Sequence, residues 1–374
     1  MPSAHSATTI LIPCSLSLVV PCYNEEKTLA HCIEKVLALR SEQLKLEIII
    51  VDDCSKDKSF EIALTLEQRF PEVKVLHHTL NQGKGASLRT GFAHATGDFV
   101  GIQDADLEYD PLEYRKLLEP LLRDEADVVF GSRYLRPGSR KILYFWHSWM
   151  NKTLTFVSNM MTNLDISDME TCYKLFRREI IQSIELKEDR FGFEPEVVAK
   201  IAQKRCRVWE CAISYLPRSY EEGKKIGWKD GARSLYCILH YSAHTAPFPM
   251  QLLLYLIIGG TSAVCNIVLF MLFLQVGLNL TTAIVTAYLS AAAINYFLCI
   301  LILFRHKAAW STPGEILAYL ITLAIMGFFD AEITLFLSTT GIPLFLSKSI
   351  ASLFGFAGNF LLRKYLVFPE KSIA

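Results

Sequence analysis

The last third of the chain most constrains what it can fold into. Four apolar stretches, Met250 to Val276, Thr281 to Phe304, Glu315 to Leu337 and Leu344 to Leu362, follow one another with short breaks. Each is near the ~20 residues that carry a helix across ~30 Å of hydrocarbon, so the pattern predicts four membrane spans. Arg305, His306 and Lys307 lie between the second and third stretches, and Arg363, Lys364 and Lys371 follow the fourth, while the loops around Gly277 and Gly341 carry no charge. The positive-inside bias then puts both termini, and the segment before the spans, on the cytoplasmic side of the inner membrane.

The spans also read as two copies of one hairpin. A shift of 64 residues superimposes Tyr255 on Tyr319, Gly277 on Gly341, Asn295 on Asn359 and Phe304 on Phe368, several matches in one register. Asn266 falls on Asp330, with Glu332 two residues further on. Polar groups at such depth are either interhelical hydrogen-bonding groups or part of a path for a lipid phosphate.

Up to about Lys229 the composition differs, mixing charges with short apolar runs, so the chain divides into an extension (1–14), an N-terminal domain (15–229), a juxtamembrane linker (230–248) and the four-span domain (249–374). The extension lacks a basic start and a long apolar run, so no cleaved signal peptide is expected. Lysine plus arginine balance aspartate plus glutamate, which argues against a nucleic-acid partner. The ten cysteines form no C-x-x-C pair and have no histidine at zinc-ligand spacing, so they read as reduced thiols.

In the N-terminal domain short strands (Ser17 to Val20, Glu47 to Val51, Val73 to Leu76, Asp98 to Gln103) alternate with helical segments (Glu26 to Leu39, Ser59 to Phe70, Ala86 to Ala95). That alternation predicts a mainly parallel sheet with helices on both faces, which binds its ligands beyond the carboxyl ends of its strands. Chemistry-bearing residues occur at those ends. The first strand runs into Pro21-Cys22-Tyr23-Asn24-Glu25 and the second into Val51-Asp52-Asp53. Two adjacent carboxylates repel unless a ligand or donor compensates them, so the pair either accepts from a base or ribose group or caps the next helix through Asp53 or Ser55. Asn81-Gln82-Gly83-Lys84-Gly85-Ala86 is a glycine turn feeding a helix; it lacks the spacing of an ATPase phosphate loop but could line an anion site. Sharpest is Asp104-Ala105-Asp106-Leu107-Glu108 after an apolar strand, where period-two alternation would point three carboxylates one way. Such a set suits Mg²⁺ or Mn²⁺; a solvated acidic turn is the plainer alternative.

These motifs, with Gly131-Ser132-Arg133-Tyr134, stand in the order found in the inverting family 2 glycosyltransferases, and the chain resembles their dolichyl-phosphate mannosyltransferase and polyprenyl-phosphate glycosyltransferase branch. The four-span region is similar to the GtrA-type membrane domain. The resemblance implies an α/β catalytic domain of GT-A fold, then an all-α four-helix transmembrane domain of two hairpin repeats. It assigns Pro21, Tyr23, Glu25, Val51 and Asp53 to a nucleotide sugar, Asp104, Ala105 and Asp106 to its metal-bound diphosphate, with Glu108 as third metal position, and Arg133 to the donor phosphates. Arg218 and Lys224, six residues apart, match a basic pair near donor and acceptor phosphates.

The implied reaction is a single displacement in which a polyprenyl or dolichyl phosphate attacks the anomeric carbon of a GDP-mannose- or UDP-glucose-type donor. Asp104, Asp106, Arg133 and Arg218 carry it, while Lys152, Lys224 and Lys225 receive the acceptor phosphate. Glu108, where the mannosyltransferases often have Gln, and the segment Asp168 to Lys174 depart from the family pattern. The aromatic stretch Ile142 to Leu164 reads as an interfacial helix or as core. The rival readings are a lipid-linked sugar translocator and a glycosyltransferase with a hydroxyl acceptor, in which Asp168 or Glu170 would be the base.

Overall fold

The computed structural model describes residues 12–135, 142, 144–217, 228–304 and 312–368. The chain forms two compact units, Met1–Thr245 and Ala246–Ala374. The expected linker is therefore mostly helix: Trp228–Ser242 is regular structure within the first unit.

In the first unit strands β1 (Cys14–Cys22), β2 (Leu44–Asp52), β3 (Val73–His77), β4 (Phe99–Ile102), β5 (Val128–Ser132), β6 (Lys174–Arg177) and β7 (Val208–Ala212) make one sheet of order β3-β2-β1-β4-β6-β5-β7. All neighbours pair in parallel except β6, which runs against β4 and β5. Helices α1 (Leu29–Leu37), α2 (Ser59–Arg69), α3 (Lys84–His94), α4 (Tyr114–Leu122), α5 (Phe145–Thr162), α6 (Arg178–Gln182), α7 (Phe193–Gln203) and α8 (Trp228–Ser242) complete the unit. Side chains alternate along β1: Leu16, Leu18 and Val20 join Ile33 of α1, Ala63 of α2 and Leu117 of α4 in the main core, while Val19 meets α3 at Gly91 on the other face. Each fully buried Leu or Ile contributes roughly 1.5–3 kcal/mol. Because β1, β2, β3, β4 and β5 share one sense, the segments after them emerge along one edge.

The second unit holds α9 (Phe248–Gln275), α10 (Leu280–Leu298), α11 (Thr312–Thr339) and α12 (Leu344–Leu362). A shift of 64 residues carries α9 onto α11 and α10 onto α12, bounds included. The match extends further: α10 and α12 each run on into a π-helical turn, Cys299–Phe304 and Arg363–Val367, and each hairpin turns on a glycine of positive φ, Gly277 at +91° and Gly341 at +87°. Side chains are costly in that conformation, which explains the spacing of these two glycines. Among the described residues α9 is the one helix that is both long and apolar enough to cross a bilayer; Leu289–Phe304 and Ile316–Met326 are shorter apolar stretches.

Arg363, one of the basic residues that follow the fourth apolar stretch, is buried. It is 6% exposed, donates to Asn295 Oδ1 at 2.5 Å and Tyr319 Oη at 3.2 Å, and lies over the rings of the repeat-related Tyr255 and Tyr319. Of the polar positions expected at membrane depth, Glu332 is exposed on its helix and Asn266 half-buried; the side chain of Asp330 lies outside the described residues.

Candidate active site

The loops at the carboxyl edge are pinned to one another before any ligand is considered. After β1, Asn24 takes a left-handed conformation (φ 56°), its N–H donates to Ser55 Oγ, and its Oδ1 accepts from Lys56 N. The Glu25 N–H donates to Ser59 Oγ, and the Glu25 carboxylate accepts from Thr28 Oγ1 at 2.7 Å. Pro21, Tyr23 and Glu25 are half-buried along this edge, whereas Val51 is enclosed within β2.

The two carboxylates after β2 are compensated by the protein itself. Asp52 is fully buried and meets His77 Nδ1 at 3.0 Å and Ser55 N at 3.1 Å. Asp53, 3% exposed, accepts from Gln82 N (2.9 Å) and Gly83 N (2.7 Å) and lies 2.8 Å from His78 Nδ1. Asp53 does not cap α2, whose preceding residue, Lys58, gives that helix no side-chain cap. Its carboxylate instead fastens the glycine turn, where Gly83 adopts φ +101°, a conformation that disfavours any side chain.

That turn delivers a residue the sequence reading passed over. Lys84, the first residue of α3, places Nζ 2.9 Å from Asp104 Oδ1, 3.6 Å from Glu194 Oε1 and 2.8 Å from Cys172 Sγ. Burial alone would depress its ammonium, but Asp104, Cys172 and Glu194 outweigh it and hold Lys84 well above the usual lysine range. A lysine between two glycines at a helix start was the available clue.

The acidic run is a turn and not a strand extension, which corrects the period-two expectation. β4 ends at Ile102, Asp106 Oδ1 accepts from Glu108 N at 3.1 Å, and Leu107 is left-handed (φ 64°). The reversal sends the Glu108 carboxylate to the Tyr215 hydroxyl at 2.8 Å, while Leu216 N donates to Glu108 O. Consequently, among the described residues no three His, Cys, Asp or Glu side chains converge as a metal cage. Asp104 and Asp106 remain half-buried at the edge; Ala105 between them is buried. Beneath the turn, Tyr173 stacks on Tyr109 with ring centroids 4.6 Å apart and donates to Gln103 Oε1, and Tyr114 donates to Ile102 O, fixing the backbone that leads into Asp104.

At the end of β5, Arg133 forms a two-pronged ion pair with Asp168, Nε to Oδ2 and Nη2 to Oδ1 both at 2.7 Å, and its guanidinium lies 5.1 Å from the Tyr215 ring centroid. Burial would raise the Asp168 carboxyl, yet Arg133 overcomes this and holds it below the usual carboxylate range. Asn151 of α5 donates to Asp168 Oδ1 and to Tyr134 Oη, and exposed Lys152 has Nζ 5.4 Å from the Tyr134 ring centroid. Lys152 is thus brought beside Tyr134, the residue after Arg133. Glu170 differs from Asp168: burial, then the Glu194 charge, push its carboxyl up to about 7. Arg218, Lys224 and Lys225 lie outside the described residues. The outer face of α5 exposes Phe145, Trp146, Trp149 and Phe156, while Leu154, Thr155 and Met161 are buried, so this helix is amphipathic rather than wholly core.

Comparison with known proteins adds to this geometry. Residues 17–185 match the glycosyl transferase family 2 model and residues 254–368 the GtrA/DPMS transmembrane domain. A dolichol-phosphate mannosyltransferase of Pyrococcus furiosus is 25% identical over 359 residues, covering 94% of this chain and 98% of the relative. A dolichyl-phosphate beta-glucosyltransferase of Trichomonas vaginalis is 32% identical over 222 residues, 55% of this chain and 68% of the relative. In three dimensions the chain is similar to the Mycobacterium tuberculosis glucosyl-3-phosphoglycerate synthase solved with uridine diphosphate, with a TM-score of 0.50, 18% identity, and coverage of 63% of this chain and 81% of that one.

Proposed function

We propose that this chain, which belongs to glycosyltransferase family 2 and carries a GtrA/DPMS transmembrane domain, transfers a hexose from a metal-bound nucleotide sugar to a polyprenyl or dolichyl phosphate. The observation that carries the reading is the Lys84–Asp104 pair with Asp106 beside it, a cation and two carboxylates at the sheet edge where such folds bind nucleotides. Both named relatives act on dolichol phosphate as their names print it, one with mannose and one with glucose, so the donor is of GDP-mannose or UDP-glucose type.

Asp104 and Asp106, two half-buried carboxylates joined by no third His, Cys, Asp or Glu among the described residues, fit Mg²⁺ or Mn²⁺, because such ions are commonly held by one or two carboxylates and completed by substrate phosphates. Bound there, the ion would neutralise charge on the departing nucleoside diphosphate. Lys84 adds a fixed positive charge at the same place, and Asp53 holds the turn that presents it. Pro21, Tyr23 and Glu25 line the nucleotide side. Arg133, oriented by Asp168, faces the donor phosphates, and Lys152, with Arg218, Lys224 and Lys225, draws the acceptor phosphate against repulsion between two anionic reactants. A phosphate monoester is largely ionised at neutral pH, its second pKa being about 6, so no protein base is required; Asp168, locked to Arg133, is not poised to be one. Attack at the anomeric carbon inverts its configuration. The catalytic unit and both termini face the cytoplasm, and the exposed aromatic face of α5 rests on the membrane surface.

The test is incubation of the purified full chain in lipid nanodiscs with polyprenyl phosphate, Mg²⁺ or Mn²⁺, and a panel of radiolabelled nucleotide sugars. Organic-extractable labelled lipid from one donor is the expected result. No such product across the panel overturns the proposal.

A further inference from the structure

We infer that Glu188 is a positioning residue through which α8, the last long helix of the catalytic unit, holds the donor-site glycine turn, so that the placement of α8 sets donor affinity. The inference rests on the assignment of that turn to the nucleotide-sugar site.

The turn is clamped from two sides. From below, Asp53 accepts from Gln82 N and Gly83 N. From above, the backbone of Glu188 and Asp189 lies directly on it: Ala86 N donates to Asp189 O at 3.2 Å, a Cβ on Gly83 would strike Asp189 O, and one on Gly85 would strike Glu188 O. With no slack on that side, the position of Glu188 and Asp189 fixes the position of Lys84. Arg89 of α3 reinforces the contact, donating to Glu188 O at 3.3 Å and to the Asp189 carboxylate at 2.5 Å.

Glu188 is in turn held by α8. Its carboxylate, on a residue 6% exposed, accepts from Arg233 Nη2 at 2.7 and 3.0 Å, from Arg233 Nε at 3.1 Å and from the Tyr241 hydroxyl at 3.0 Å. Arg233 and Tyr241 are eight residues apart on one helix, as two turns of one face require. Burying a carboxylate is costly unless it is paired and hydrogen-bonded, so Glu188 is stable only where α8 meets it. The same helix packs against α5, with Gly231 beside Met150. A contiguous path therefore runs from the exposed aromatic helix through α8 and Glu188 to the glycine turn and Lys84.

The experiment uses the full chain in nanodiscs and the variants Arg233→Ala, Arg233→Lys and Tyr241→Phe. Hydrogen exchange of residues 82–88, Kd for GDP and UDP with Mg²⁺, and kcat and KM for donor and lipid are measured on each. Arg233→Ala should speed exchange in that segment, raise nucleotide Kd and donor KM about tenfold and lower kcat with them, while lipid KM changes less than about twofold. Arg233→Lys, which keeps the charge but not the fork, and Tyr241→Phe should give smaller shifts in the same direction. A purely structural clamp would instead lower thermal stability with donor KM unchanged, which overturns the inference, as does unaltered exchange at 82–88. If the wild-type chain transfers no sugar, the functional proposal falls, while exchange and nucleotide Kd still decide the role of Glu188.

Discussion

Lys84 Nζ lies 2.9 Å from Asp104 Oδ1, joining the glycine turn before α3 to the acidic turn after β4. One cation therefore links the two loops that would grip the donor diphosphate. Lys84→Gln should leave Asp104 and Glu194 without their ammonium and lower kcat by roughly 100-fold, the loss typical of removing one preorganised charge from a transition state. Steady-state kinetics with released nucleoside diphosphate as readout check this.

Asp106→Asn and Glu108→Gln should part company. The first removes a proposed cation ligand and is expected to abolish turnover without lowering the melting temperature. The second preserves a partner for the Tyr215 hydroxyl and should keep more than about a tenth of wild-type kcat with unchanged metal dependence, since it lies outside the reacting groups. Titration of activity with Mg²⁺ and Mn²⁺ after chelation measures both. Retained activity would make Glu108 a support of the Tyr215 side, and equal loss in both variants would return it to the metal.

Arg133→Ala should destabilise the catalytic unit by about 3–5 kcal/mol, because it leaves Asp168 buried and unpaired. Arg133→Lys should recover part of that stability but not the two-pronged geometry. Denaturant unfolding of the full chain, followed by tryptophan fluorescence, reads the difference.

Glu170 gives a pH signature of defined sign. Its folded carboxyl is pushed up to about 7 from the ordinary 4.5, so between those values the folded state binds the extra proton. Its contribution to stability is fully present at acid pH and is lost as pH rises through about 7. Glu170→Gln should therefore flatten the fall in melting temperature between about pH 5 and pH 8 and raise it at pH 8. Asp168 works oppositely, stabilising above the ordinary carboxylate range and losing that contribution as the solution becomes more acid.

Replacing Trp146 and Trp149, both exposed on α5, by serine should raise KM for polyprenyl phosphate several-fold and leave donor KM unchanged, because the proposed contact is with lipid alone. An equal rise in both constants would instead mark α5 as part of the donor site.

Local pattern was enough to read the first four strands of the seven-stranded sheet and the 64-residue repeat. Alternating strands and helices put Tyr23, Asp53 and Asp104 at strand ends, and a parallel sheet brings those ends to one edge whatever the loops contain; Arg133 was found through its motif, without a strand read before it. The 64-residue shift was visible in Tyr255, Tyr319, Gly277 and Gly341 because hairpin turns and helix faces recur at fixed spacing. The strand-like extrapolation into Asp104–Glu108 failed because Leu107 adopts a left-handed conformation that alternation cannot register.

What the sequence determined by itself is therefore where the chemistry lies: which strand ends bear carboxylates, which segment turns on glycine, and which third of the chain is apolar. Only the tertiary structure decided who partners whom. Asp53 meets His78 across 25 residues, Lys84 meets Asp104 across 20, Arg133 meets Asp168 across 35, and Arg233 meets Glu188 across 45. Periodicity reports on neighbours a few positions apart, whereas these pairs form because packing brings distant loops together and because a buried charge is stable only where an opposite one awaits it.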